Sequence, residues 1–181
     1  MKGLNSFFSA VGGTDPLYEW VKNEREYSWL KTDIERMWSR YHPICPDPQF
    51  SRKAADDLVA MCWQMQFSVL LLDNGFDLSR PPRDAPDICL THNGQLYWIE
   101  TVAPGPGDRA DAVPSDLNGD EFPEKEIILR FTSALEAKRN QYKSWLEKKT
   151  ISATEHFIVA INGGKIPSAG FDGGISCLAG R

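Results

Sequence analysis

Residues 86–102, PDICLTHNGQLYWIETV, carry two apolar runs separated by Asn93-Gly94, with Asp87 near the start of the first and Glu100 near the end of the second. Asn-Gly between alternating runs is the strongest short-range signal for a two-residue hairpin, because both central positions of a type I′ turn take positive φ. With Asn93 and Gly94 as the loop, His92 faces Gln95. Counting back pairs Thr91 with Leu96, Leu90 with Tyr97, Cys89 with Trp98, Ile88 with Ile99 and Asp87 with Glu100. This register sets two carboxylates opposite one another with Cβ atoms about 5 Å apart, where like charges destabilise a sheet. One of them must be protonated, or a cation must lie between them. Oxygen donors with an open position suit Mg²⁺, which is bound through one or two carboxylates plus waters and substrate phosphate. The bland alternative is a surface hairpin end with two solvated acids, and a bulge would shift the pairing by one and part the faces.

Working outward, FDLSR before the hairpin reads as a short strand, and residues 51–75 read as one helix. Leu58, Met61, Cys62, Met65, Val69 and Leu72 form one face of that helix, and Asn74-Gly75 caps it. The C-terminal half of the helix is apolar nearly all round, so it should be buried against a sheet. Upstream, Asp15 is a candidate N-cap and Pro16 a first-turn residue for one long or two broken helices over 16–41. Residues 103–124 are rich in Pro, Gly and Asp, which suits a mobile loop. RFTSALEAKRNQYKSWLEKK then reads as a helix and HFIVAI as a buried strand. A strand, a helix and a strand in that order favour a right-handed crossover, so an antiparallel hairpin should continue into a parallel strand. The expected fold is α/β. An N-terminal helical extension over residues 1–50 precedes a core over residues 51–181. The Gly-rich tail leads one to expect a further element beyond Arg181.

At 181 residues, with 41% hydrophobic and 25% charged residues, the chain suits one globular domain and excludes disordered or collagen-like classes. A net charge of −5 argues against a uniformly basic coat for nucleic acid. Cys45, Cys62, Cys89 and Cys177 have no secreted-framework spacing, and neither a signal peptide nor a membrane segment is apparent, so a cytoplasmic protein is expected. Cys89 and His92 would point to opposite faces of a strand, which makes a shared zinc site unattractive. Trp20, Trp29, Trp38 and Trp63 are read as core residues.

The order of elements, together with PD at 86–87 and an acid at Glu100, resembles the PD-(D/E)xK phosphodiesterase superfamily, the restriction-endonuclease-like fold. The resemblance spans about 110 residues, 51–162. YWIETVAPGPG and the stretch from ILRFTSALEAKRNQ to AINGGKIP also look like a group of uncharacterised bacterial proteins with this core. The resemblance implies a helix, a three-strand antiparallel meander, a helix and a parallel strand. It also implies Mg²⁺ or Mn²⁺ held by Asp87, Glu100 and the Thr101 backbone carbonyl, and hydrolysis of phosphodiester bonds in DNA or RNA. The lysine that the motif places two residues after the acid is Val102 here.

On the following helix, Phe131, Ala134, Leu135, Tyr142 and Trp145 form a stripe with Lys138 at its centre, an unusual place for a lysine. Migration of the lysine to this helix occurs in the superfamily, which makes Lys138 the substitute and Gln141, one turn later, an assistant. The alternative for Lys138 is a stem laid over the core with its amine in solvent. The glutamate many members carry on the first helix aligns with Gln64. Seven Lys or Arg against three Glu over residues 125–149 mark a face that could attract phosphate, with Arg130, Arg139 and Lys143 as candidate contacts. A metal-dependent nuclease, monomeric or homodimeric and free of membrane, is the expected function. The rival is an inactive nuclease-like fold that binds nucleic acid or assembles with protein.

Overall fold

The computed structural model describes residues 6–108, 112–115, 122–167 and 169. Asn93 and Gly94 take φ of 51° and 74°, and the hairpin they close joins β2 (Ile88–His92) to β3 (Gln95–Val102). The ladder runs from His92↔Gln95 to Ile88↔Ile99, as the turn dictates. FDLSR contributes β1 (Asp77–Ser79), antiparallel to β2. β4 (His156–Ile161) lies parallel to β3, giving a four-stranded mixed sheet in the order β1-β2-β3-β4.

Asp15 caps α1 (Pro16–Asn23), its carboxylate accepting the Leu17 N–H at 2.9 Å. A 3₁₀ turn separates α1 from α2 (Ser28–Tyr41), so this segment is two helices. The single helix expected over 51–75 is also two, α3 (Phe50–Ala54) and α4 (Leu58–Asp73). The break is made by carboxylates. Asp57 accepts the Ala60 N–H at 3.1 Å, and the second oxygen of Asp15 accepts the Leu58 N–H at 2.7 Å, so α4 starts afresh with its own cap. α5 (Glu124–Glu147) begins upstream of the stretch read as helical.

Alternation along β2 and β3 sorts the core. Ile88, Leu90 and Ile99 face Trp63, Phe67 and Leu71 of α4. Cys89 and Trp98 face Tyr142, Trp145 and Leu146 of α5. The other side of α4, with Leu58, Cys62 and Met65, packs against Tyr18, Val21, Ile34, Trp38 and Tyr41 of α1 and α2. α4 is therefore covered on two sides, which accounts for its nearly uniform apolarity. Each large apolar side chain buried this way contributes about 1.5–3 kcal/mol.

Four expectations differ from the structure. HFIVAI, read as a buried strand, lies at the end of the strand order, with only Ala160 buried and Ile158 42% exposed. Trp20 and Trp29 are exposed, because α1 and α2 turn Tyr18, Val21, Leu30 and Ile34 inward instead. Leu135 is 44% exposed, since α5 meets the sheet through its C-terminal half. The Pro- and Gly-rich stretch packs where it is described. Val113 is buried with Ile127 and Ile166, and its N–H donates to the Pro106 carbonyl at 2.9 Å. The tail beyond 169, with Cys177 and the element expected after it, lies outside the described residues. Among the described residues no helix is long and apolar enough to cross a membrane.

Candidate active site and adjoining cleft

Asp87 sits one residue beyond the last rung of the hairpin ladder. Its N–H donates to Glu100 Oε2 at 3.2 Å, so the two acids meet as the register requires, although the contact is made by the Asp87 backbone. The Asp87 carboxylate turns to the next residue of β3, where Oδ2 accepts from the Thr101 N–H at 2.8 Å and from Thr101 Oγ1 at 2.6 Å. Glu100 Oε1 accepts from Lys138 Nζ at 2.7 Å, and the same ammonium donates to Gln141 Oε1 at 3.3 Å. The cation that the paired acids call for is thus present as a side chain of α5.

These contacts occupy every oxygen of the two carboxylates except Asp87 Oδ1, which has no hydrogen-bond partner among the described residues. In a strand the N–H and C=O of one residue point to the same side. Because the Thr101 N–H is on Asp87, the Thr101 carbonyl is directed to that side as well. The next carbonyl, of Val102, is directed away and accepts the Asn162 N–H at 2.9 Å.

Burial is the largest influence on both acids. It pushes Glu100 up from 4.5 to about 7, with the Asp87 charge adding to the rise and Lys138 opposing it. Asp87 is also raised, again by burial first, against the two Thr101 hydrogen bonds and the charges of Lys138 and Lys53. The Lys138 and Glu100 side chains are 19% and 6% exposed, so their attraction is only partly screened by water. Near neutral pH Glu100 is thus poised between its charged and neutral forms beside the Lys138 ammonium.

Asp87 Oδ1, Glu100 and the Thr101 carbonyl are all oxygen donors, the type a hard divalent cation takes. Among the described residues no three His, Cys, Asp or Glu side chains converge. A full side-chain cage is therefore lacking, and what remains suits a cation that keeps several waters.

Asp87 also lines a cleft of about 750 Å³, whose wall includes Gln64 but neither Glu100 nor Lys138. Gln64, buried on α4, donates through Nε2 to the Tyr41 hydroxyl at 2.8 Å. Tyr41 in turn hydrogen bonds Cys45, and burial pushes its hydroxyl pKa well above the ordinary value. The α2 helix thereby orients a residue on the cleft wall. Tyr41 is not among the site residues singled out from the sequence; the available signal is its polar tip, which needs a partner when buried.

The other candidates lie apart from this cleft. Arg130 packs on the loop after β3, so closely that a Cβ on Gly107 would stand 2.3 Å from its guanidinium. Arg139 pairs with Glu136 at 3.4 Å and borders a separate groove of about 360 Å³ with Leu135, Tyr142 and Phe157. Lys143 is exposed on α5. Against known proteins, the chain matches no family model, no curated protein and no solved structure.

Proposed function

We propose that the protein is a metal-dependent phosphodiesterase, most simply a nuclease, built on a restriction-endonuclease-like core in which Lys138 takes the place of the lysine absent at Val102. The observation that carries this reading is the 2.7 Å contact between Lys138 of α5 and Glu100 of β3, made beside Asp87 where that residue opens onto a cleft. A lysine drawn from a helix into a strand-end pair of acids meets the charge requirement that position 102 leaves open.

Asp87, Glu100 and the Thr101 carbonyl are the groups that would hold Mg²⁺ or Mn²⁺. Such a cation, when bound, supplies Lewis-acid polarisation of the phosphoryl oxygen and a more acidic water. Lys138 sets its ammonium where negative charge grows as water adds to phosphorus and the bond to the leaving oxygen breaks. The Thr101 N–H and hydroxyl fix the Asp87 carboxylate and leave Oδ1 open. Gln141 steadies the lysine from the next turn, and Gln64, oriented by Tyr41, presents an amide to the cleft.

One observation favours a second reading. Most oxygens of the acid pair already have protein partners, as in a self-contained ion pair within an inactive fold that only binds. Incubation of the purified protein with labelled DNA and RNA separates the two. The nuclease reading expects cleavage with Mg²⁺ or Mn²⁺, lowered by at least about a hundredfold in Asp87→Asn and in Lys138→Met, with part of it restored by adding Val102→Lys to Lys138→Met. Equal activity in Asp87→Asn contradicts it. Binding that ignores both EDTA and Glu100→Gln supports the inactive fold.

A further inference from the structure

The cleft beside Asp87 is floored by Met61 and Gln64 of α4 and flanked by two walls far apart in the chain, α3 with the turn before it, and the link between β1 and β2. Its rim carries four prolines, Pro46, Pro48, Pro81 and Pro82, whose fixed φ limits the freedom of both walls. The two walls are also tied together, because Arg80 Nη2 donates to the Pro46 carbonyl at 3.5 Å. Near the other end of the link, Asp84 takes a positive φ of 64° and its carbonyl accepts the Trp145 indole N–H at 2.7 Å. The cleft is thus preformed by contacts on two sides of the sheet.

Its lining includes three cations, Lys53, Arg80 and Arg83, beside three acids, Asp47, Asp84 and Asp87, of which Asp47 is paired with Lys53 and Asp87 is the site acid, and no aromatic side chain. Small-molecule sites of this size are mostly apolar and aromatic, and sites that read bases in a single strand stack them on aromatic rings. This lining offers neither. Arg83 is exposed and has no ion-pair or hydrogen-bond partner among the described residues. Lys53 is 62% exposed in a 2.7 Å pair with Asp47 that an incoming phosphate can displace, and its charge reaches as far as Asp87.

We infer that this cleft seats the sugar-phosphate backbone of a single nucleic-acid strand, with Lys53, Arg80 and Arg83 as phosphate contacts that lead a phosphodiester onto Asp87. The inference rests on the reading of Asp87 as the reactive site. It moves the binding face away from α5, and it makes recognition a matter of charge, indifferent to base sequence.

The test is fluorescence anisotropy in EDTA with short single-stranded oligonucleotides, one of mixed sequence and one of thymidines alone. The expected outcome is weaker binding by at least about tenfold for the combined variant Lys53→Ala, Arg80→Ala, Arg83→Ala, with the slope of log K against log salt reduced by about 0.7 for each phosphate no longer neutralised. The two oligonucleotides should bind within about twofold of each other. Arg139→Ala with Lys143→Ala should bind like wild type. Arg83→Glu, which breaks no pairing within the protein, carries the same test if the triple variant is poorly folded. Wild-type affinity in both cleft variants, an equal weakening in the α5 variant, or no binding by the wild type overturns the inference. Asp87→Asn separates it from the nuclease reading. Cleft-dependent binding without cleavage by the wild type leaves this inference standing and removes the nuclease. Asp87-dependent cleavage with binding unaffected in the cleft variants does the reverse.

Discussion

The two ends of the β2–β3 hairpin are built on opposite principles. At the turn, His92, Asn93, Gly94 and Gln95 are all exposed and the only backbone demand is two positive φ angles. At the open end Glu100 is buried with a lysine against it, and Asp87 is pushed up by burial as well. The turn end is what stability and register require. The open end costs stability, since desolvating two acids and a lysine is offset only in part by their pairing. The open end is thus where the hairpin departs from what stability alone favours.

The largest effect that can break this contrast is on the pair itself. Lys138→Met leaves Glu100 buried without a cation and is expected to cost on the order of 2 kcal/mol near neutral pH, less than for a fully buried pair because the lysine is partly exposed. Chemical denaturation measures it, and a change within the range of ordinary surface substitutions would mean that the ion pair is incidental.

Next in size is a pH dependence. Glu100 goes from 4.5 unfolded to about 7 folded, so between these values the folded state binds the extra proton and stability falls as pH rises. The contribution is fully present below about pH 4.5 and lost above about pH 7. In Glu100→Gln the part of that decline due to Glu100 should disappear, leaving the part due to Asp87, which burial raises in the same direction. Thermal melts across this window check it, and parallel curves for the two proteins would contradict the assigned burial of Glu100.

The turn end should yield smaller numbers. Asn93→Ala, at a φ of 51°, is expected to cost about 1 kcal/mol, and His92→Ala to stay within about 0.5 kcal/mol. If His92→Ala rivalled Lys138→Met, the two ends would not differ as described.

Much of this contrast was legible in the sequence, and the reason is locality. Asn93-Gly94 fixes the register by itself, and the register alone brings Asp87 to Glu100. Lys138 was visible as a charge at the centre of an apolar stripe. What the sequence did not show depends on segments meeting across the fold. The restart of α4 at Leu58 needs Asp15, more than forty residues upstream, as a second cap. The hold of Tyr41 on Gln64 crosses from α2 to α4, and the cleft exists only where α3 faces the link before β2. The path of the Asp87 carboxylate onto Thr101 was equally hidden, because pairing rules place Cβ atoms and not the atoms beyond them.

Whether the open end of the hairpin holds a divalent cation beside the lysine of α5 is decided by titrating Mn²⁺ into the protein at about pH 8, above the value near 7 to which burial raises Glu100. One saturable Mn²⁺ per chain is expected, lost in Asp87→Asn and weakened as pH falls through about 7. No uptake by the wild type, or undiminished uptake by Asp87→Asn, would contradict it.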